Sequence, residues 1–163
     1  MDLRFIVFVL FFGLSSHLAL GQDMDSKPTE ITANTEYSKV EAAILDYVEG
    51  LYLVDSTRIE KSVHPELRKR GYWYNKKEKE YRDNLDMTFE QLRSLSARWN
   101  KKGNRVNEKS PKLIEIYDIN DRTASAKLTA EWGIDYFHLA KLDGKWMIMN
   151  VLWQSIPSQK KDN

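Results

Sequence analysis

Cysteine is absent from all 163 residues, which excludes disulfides, thiolate nucleophiles, cysteine-bound metals and lipidated cysteines. Histidine is scarce. His17, His64 and His138 are the only ones, none stands in an HxH or HExxH spacing, and so no metal site is expected. GxSxG, P-loop and GxGxxG patterns are missing, which leaves hydrolase, nucleotidase and dinucleotide readings without residues, and no cofactor is implied. An excess of one charge is missing too. With 25 Lys+Arg against 24 Asp+Glu, a net charge of +1 supplies no field that would recruit nucleic acid or an anionic membrane.

The one long apolar run, Phe5–Phe12, falls well short of the ~20 residues that span a bilayer. Arg4 precedes it, and Ala19-Leu20-Gly21 places small residues where a signal peptidase reads. Residues 1–21 are therefore expected to be a cleaved signal peptide, and the remainder secreted or periplasmic, with no membrane contact after cleavage. Residues 22–34 are polar and read as a flexible leader, 35–157 as one domain, and 158–163 as a polar tail.

From Glu36, the residues Val40, Ala43, Ile44, Tyr47, Val48 and Leu51 form one apolar helical stripe. A short helix follows, capped by Asp55 or Ser56, with Ile59 and Val63 inward and His64-Pro65 as its end. Gly71-Tyr72-Trp73-Tyr74 reads as a short aromatic strand, and Asn75 to Asp86 as a charged loop. Thr88 and Gln91 form a capping box for a third helix, which buries Phe89, Leu92, Leu95 and Trp99 and is closed by Gly103. After Pro111 four strands follow in a meander, and Asp143-Gly144 is a strong two-residue hairpin signal. The class is α+β.

A turn at Asp143-Gly144 sets a register in which Leu139 faces Ile148, Phe137 faces Asn150 and Asp135 faces Leu152. A second turn at Trp132-Gly133 adds Ala124, Ala126, Leu128 and Ala130 to the side that holds Trp146. The helix-covered face then holds these residues with two polar ones, Asp135 and Asn150. The other face carries Tyr136, His138, Met147, Met149, Val151 and Trp153. It is apolar enough to meet a partner, and a second copy of the chain, docking through Met147, Met149 and Trp153, is the expected one.

The order of elements, with Asp46-Tyr47, Gly50, His64-Pro65 and above all Asp135–Trp153 (DYFHLAKLDGKWMIMNVLW), resembles the Putative lumazine-binding family of the nuclear transport factor 2-like superfamily. The resemblance implies a cone-shaped barrel, a curved antiparallel sheet wrapped around three N-terminal helices. It also implies a ligand-sized pocket and frequent dimerisation.

Asp135 on an apolar face is the leading candidate base, since desolvation raises a carboxyl pKa; the alternative is a structural carboxylate that caps a backbone group or pairs with Lys141 or Lys112. Tyr47 and His64 are the other catalytic candidates. Asn150 offers an amide to a ligand carbonyl, Phe137 and Trp73 offer flat apolar surface, and Tyr47 its hydroxyl. Three functions remain open: an exported domain binding a small apolar or planar ligand; an isomerase or dehydratase with Asp135 removing a proton beside a carbonyl; and a dimerisation module whose cone is filled by its own side chains. The enzymatic reading requires Asp135, Tyr47 and His64 to converge on one point.

Overall fold

A computed structural model describes residues 30–83 and 85–157; the expected signal peptide, most of the leader and the whole tail lie outside them. Helix α1 (Glu30–Tyr52) is followed by α2 (Ser56–Ser62), β1 (Val63–Asn75), β2 (Glu80–Arg82) and α3 (Phe89–Ser96). Strands β3 (Leu113–Ile119), β4 (Thr123–Ala130), β5 (Gly133–Leu142) and β6 (Lys145–Gln154) complete the chain. They form a curved, unclosed six-stranded sheet in the order β2-β1-β6-β5-β4-β3.

Local chemistry explains the helices. The stripe from Val40 to Leu51 is buried throughout and packs onto β3, β4 and β6. Helix α1 begins at Glu30, inside the expected leader, because no Pro or Gly interrupts the hydrogen-bond ladder ahead of the stripe. The Asp55 carboxylate accepts from the Thr57 amide to cap α2. At α3 the Thr88–Gln91 box closes in both directions. Gly103 lies beyond the end of α3 at Ser96 and closes a separate turn onto the Asn100 carbonyl.

The sheet departs from the sequence reading at four points, three of them in β1, β2 and β6. First, β1 runs 13 residues rather than four, and it lies parallel to β6, so the sheet is mixed rather than wholly antiparallel. Val63 ends α2 and starts this strand, and His64-Pro65 sits in an irregular stretch between the paired residues Val63 and Arg68. Second, the charged segment after Asn75 folds as a hairpin, with β2 pairing antiparallel to β1. Third, the β5–β6 register slips by one residue. Leu139 pairs with Ile148, but His138 pairs with Asn150, which leaves Met149 as a bulge.

That bulge reverses every later assignment on β6. Phe137 pairs with Val151 and Asp135 with Trp153, so Val151 and Trp153 turn inward while Asn150 and Leu152 face out. The physical reason is burial. The slip seats Val151 in the core and spares the cost of enclosing the Asn150 amide. The expected partner-facing set of Met147, Met149 and Trp153 therefore loses Trp153 to the interior. On β4 the turn is Glu131-Trp132 rather than Trp132-Gly133, a two-residue difference that leaves Ala124, Ala126, Leu128 and Ala130 buried as expected. Gly133 is required there: its φ is 140° and a Cβ would meet the Gln154 carbonyl oxygen at 2.1 Å.

Candidate functional site

Two rows of residues cross the concave face of the sheet. One runs Lys69–Val151–Phe137–Ala126 and the next Gly71–Trp153–Asp135–Leu128. Lys69 and Asp135 thus lie diagonally across β6, and the lysine stem is long enough to bridge the gap. Its ammonium donates to the Tyr47 hydroxyl at 2.8 Å and to Asp135 Oδ1 at 3.4 Å. The Trp132 indole N–H donates to Asp135 Oδ2 at 3.0 Å. Asp135 and Tyr47 are fully buried and Lys69 is 7% exposed.

Aromatic rings hold this cluster in place. Tyr47 meets Phe137 edge-on at 5.1 Å and Trp132 at 6.2 Å, while Tyr52 stacks on Trp99 at 5.9 Å. The Tyr52 hydroxyl donates to the Pro111 carbonyl and accepts the Glu131 amide, which ties the end of α1 to the turn that carries Trp132. The Lys69 ammonium lies 5.5 Å from the centre of the Tyr47 ring and 5.3 Å from that of Trp153.

Burial dominates the electrostatics. It pushes the Tyr47 phenol well above its ordinary value, and the Asp135 charge adds to the effect. It lowers the Lys69 ammonium, with Asp135 opposing the shift. Beside the cluster lies a hollow of about 90 Å³ bounded by Tyr47, Leu51, Lys69, Met87, Leu92, Leu95, Trp132 and Trp153. Among the described residues of that otherwise apolar or aromatic wall Lys69 is the one charged residue, and it contributes its aliphatic stem. The Trp153 ring forms part of the wall and leans over Gly71, where a Cβ would sit 1.8 Å from its indole nitrogen. That nitrogen is buried with no hydrogen-bond partner among the described residues.

Of the residues singled out from sequence, Asp135, Tyr47 and Phe137 come together in the interior. His64 does not join them: its Nδ1 accepts the Glu66 amide in the irregular start of β1. Asn150 faces the opposite side of the sheet, where it lines an open groove with Arg68, Tyr136 and His138. Trp73 lies 43% exposed on the β1–β2 hairpin under the Arg82 guanidinium. Lys141 and Lys112, the expected partners of Asp135, pair with Glu36 and Glu49 instead.

Sequence reasoning missed Lys69, Trp132 and Trp153. The alternation Leu67-Lys69-Gly71 held the signal for Lys69, but only with β1 extended back to Val63.

The profile of the Putative lumazine-binding family matches residues 35–154, from the stripe of α1 to the end of β6. The chain belongs to that family. Membership of that family points to a domain that binds a small molecule. Solved structures agree on the fold. An NTF2-like protein of unknown function from Shewanella baltica is 20% identical, with a TM-score of 0.58 over 81% of this chain and 100% of its own. An NTF-2 like protein of unknown function from Silicibacter pomeroyi is 14% identical, with a TM-score of 0.57 over 77% of this chain and 99% of its own. A ketosteroid isomerase-like protein from Erwinia carotovora atroseptica is 16% identical, with a TM-score of 0.51 over 77% and 99%. No curated protein matches the chain.

Proposed function

We propose that this chain is an exported, non-catalytic domain that binds a small, largely apolar molecule in the hollow between α1, α3, β1 and β6. The observation that carries the reading is the wall itself: apolar and aromatic side chains and the Lys69 stem line it, and the Lys69 ammonium is buried behind them against Tyr47 and Asp135. Ligand sites are lined predominantly by apolar and aromatic side chains, and a wall of this kind suits an apolar guest. A volume of about 90 Å³ equals the liquid share of about three waters, so the ligand has few heavy atoms or displaces Trp153. Trp153 is the natural element to move, since packing alone holds its indole nitrogen.

The test is a titration of the 22–163 chain with 2-butanol, followed by the NMR shifts of the Leu51, Leu92 and Leu95 methyls. Saturable shifts confined to these methyls are expected, and Leu92→Phe should abolish them. Shifts that stay linear and spread over the surface would end the reading.

A second reading, a self-associating module, draws support from the outer face of the sheet. Leu113, Tyr136 and Leu152 stand at least 46% exposed there. In this reading Leu152→Glu dissociates a dimer in sedimentation equilibrium, and a chain that is monomeric at every concentration refutes it.

A further inference from the structure

We infer that the groove on the outer face of the sheet is a second binding site, which takes a small monocarboxylate with a flat apolar body. It is separate from the hollow and does not depend on a guest there. The groove encloses about 900 Å³, a size that suits a small molecule. Strand pairing sets its floor. Arg68 pairs with Asn150 and Asn150 with His138, so a guanidinium, an amide and an imidazole stand in one row across β1, β6 and β5. In the next row Arg70 pairs with Leu152 and Leu152 with Tyr136. All six are exposed and line the groove.

Charge decides what the first row receives. The charged residues of the lining are Arg68, Lys69, Arg70 and Asp86. Asp86 takes Arg70 in a two-point pair at 2.7 and 3.0 Å. Lys69 turns inward to Tyr47 and Asp135. The Arg68 guanidinium is left over, with no ion pair or hydrogen bond among the described residues, and the side chains of Asn150 and His138 are equally without one. One surplus cation beside two unsatisfied polar side chains suits a single anionic group, and a planar carboxylate matches the fork of a guanidinium. The second row lies two residues further along each strand, about 7 Å away. A carboxylate held by Arg68 and Asn150 therefore lays a bicyclic ring over the Leu152 side chain and the Tyr136 ring.

The probe is 2-naphthoate, titrated into the 22–163 chain by calorimetry and followed by NMR at the Asn150 side-chain amide and the His138 and Tyr136 rings. Saturable binding with shifts at these groups is expected. Arg68→Gln, an exposed substitution that breaks no contact in the fold, should weaken it at least about tenfold, the value of one charge-assisted hydrogen bond. The neutral 2-naphthylmethanol should bind the parent at least about tenfold more weakly than the acid does, and should not distinguish the parent from Arg68→Gln. Equal affinity of acid and alcohol, or an acid that binds Arg68→Gln as tightly as the parent, overturns the inference. So do naphthoate shifts confined to the Leu51, Leu92 and Leu95 methyls, which would put the guest in the hollow. Absence of saturable binding, the result if a second copy of the chain covers this face, overturns it as well and leaves the reading of the hollow untouched.

Discussion

Replacing Lys69 by Met deletes the ammonium and keeps most of the stem's volume, which isolates the energetics of the buried pair. At 3.4 Å and an effective dielectric constant of 20, two unit charges attract by about 5 kcal/mol. Desolvating both charges offsets most of that gain, so the pair adds little net stability, but removing one partner leaves the other buried and unpaired. In Lys69→Met the fully buried Asp135 retains the Trp132 indole N–H and loses its cation. The expected loss is about 3–5 kcal/mol. In the double variant Lys69→Met/Asp135→Leu neither charge remains, and stability should return to within about 1–2 kcal/mol of the parent, the residual cost coming from the orphaned Trp132 N–H. The assay is urea unfolding followed by far-UV circular dichroism, compared at constant slope. A single-variant loss below about 1 kcal/mol, or a double variant as unstable as the sum of the two singles, would refute the claim that these charges form one desolvated unit.

Three further outcomes follow from other contacts. Gly71→Ala places a methyl inside the Trp153 indole, so the ring must shift into the hollow; a loss of about 1–3 kcal/mol together with disappearance of the 2-butanol shifts is expected, and unchanged binding would contradict it. Tyr52→Phe removes a hydroxyl that both donates to Pro111 and accepts from Glu131, and should cost about 1–3 kcal/mol in urea unfolding; a neutral effect would show that water replaces it. Glu36 is held at about 2, chiefly by Lys141 and then by Lys39 and the Trp146 indole, against an ordinary 4.5. The folded state thus binds fewer protons than the unfolded one between those values, so this contribution is complete above pH 4.5 and is lost as pH falls towards 2. Urea midpoints for Glu36→Gln should decline less steeply across that window than the parent's, and parallel profiles would exclude Glu36 as the cause.

The elements legible in the sequence share one property: neighbours within a few residues determine them. The α1 stripe needs only a 3.6-residue period, and the Thr88–Gln91 box only three residues of spacing. At Asp143-Gly144 both residues take positive φ, 49° and 80°, as a tight hairpin turn demands and as this pair tolerates best. Period-two alternation then carries the inner face of β4 and of β5, so that Asp135 and Phe137 fall inside together with Tyr47 from the α1 stripe. The family resemblance, carried by the residues from Asp135 to Trp153, was equally visible.

What needed the tertiary structure was each decision that depended on a distant strand. The Met149 bulge has no local signature in MIMNV, because extended backbone and bulge cost nearly the same until burial of Val151 against Asn150 separates them. Lys69 sits in a run of three cations, Arg68-Lys69-Arg70, that reads as a solvated surface. Only the parallel pairing of β1 with β6 turns the middle one inward, across from Asp135, 66 residues away. The sequence by itself thus determined the α1 stripe, the α3 capping box, the Asp143-Gly144 turn, the class of fold and the apolar side of β4 and β5. The tertiary structure decided which charge became buried and which aromatic ring closed the hollow, since those outcomes depend on long-range register, and a shift of one residue exchanges the two faces of a strand.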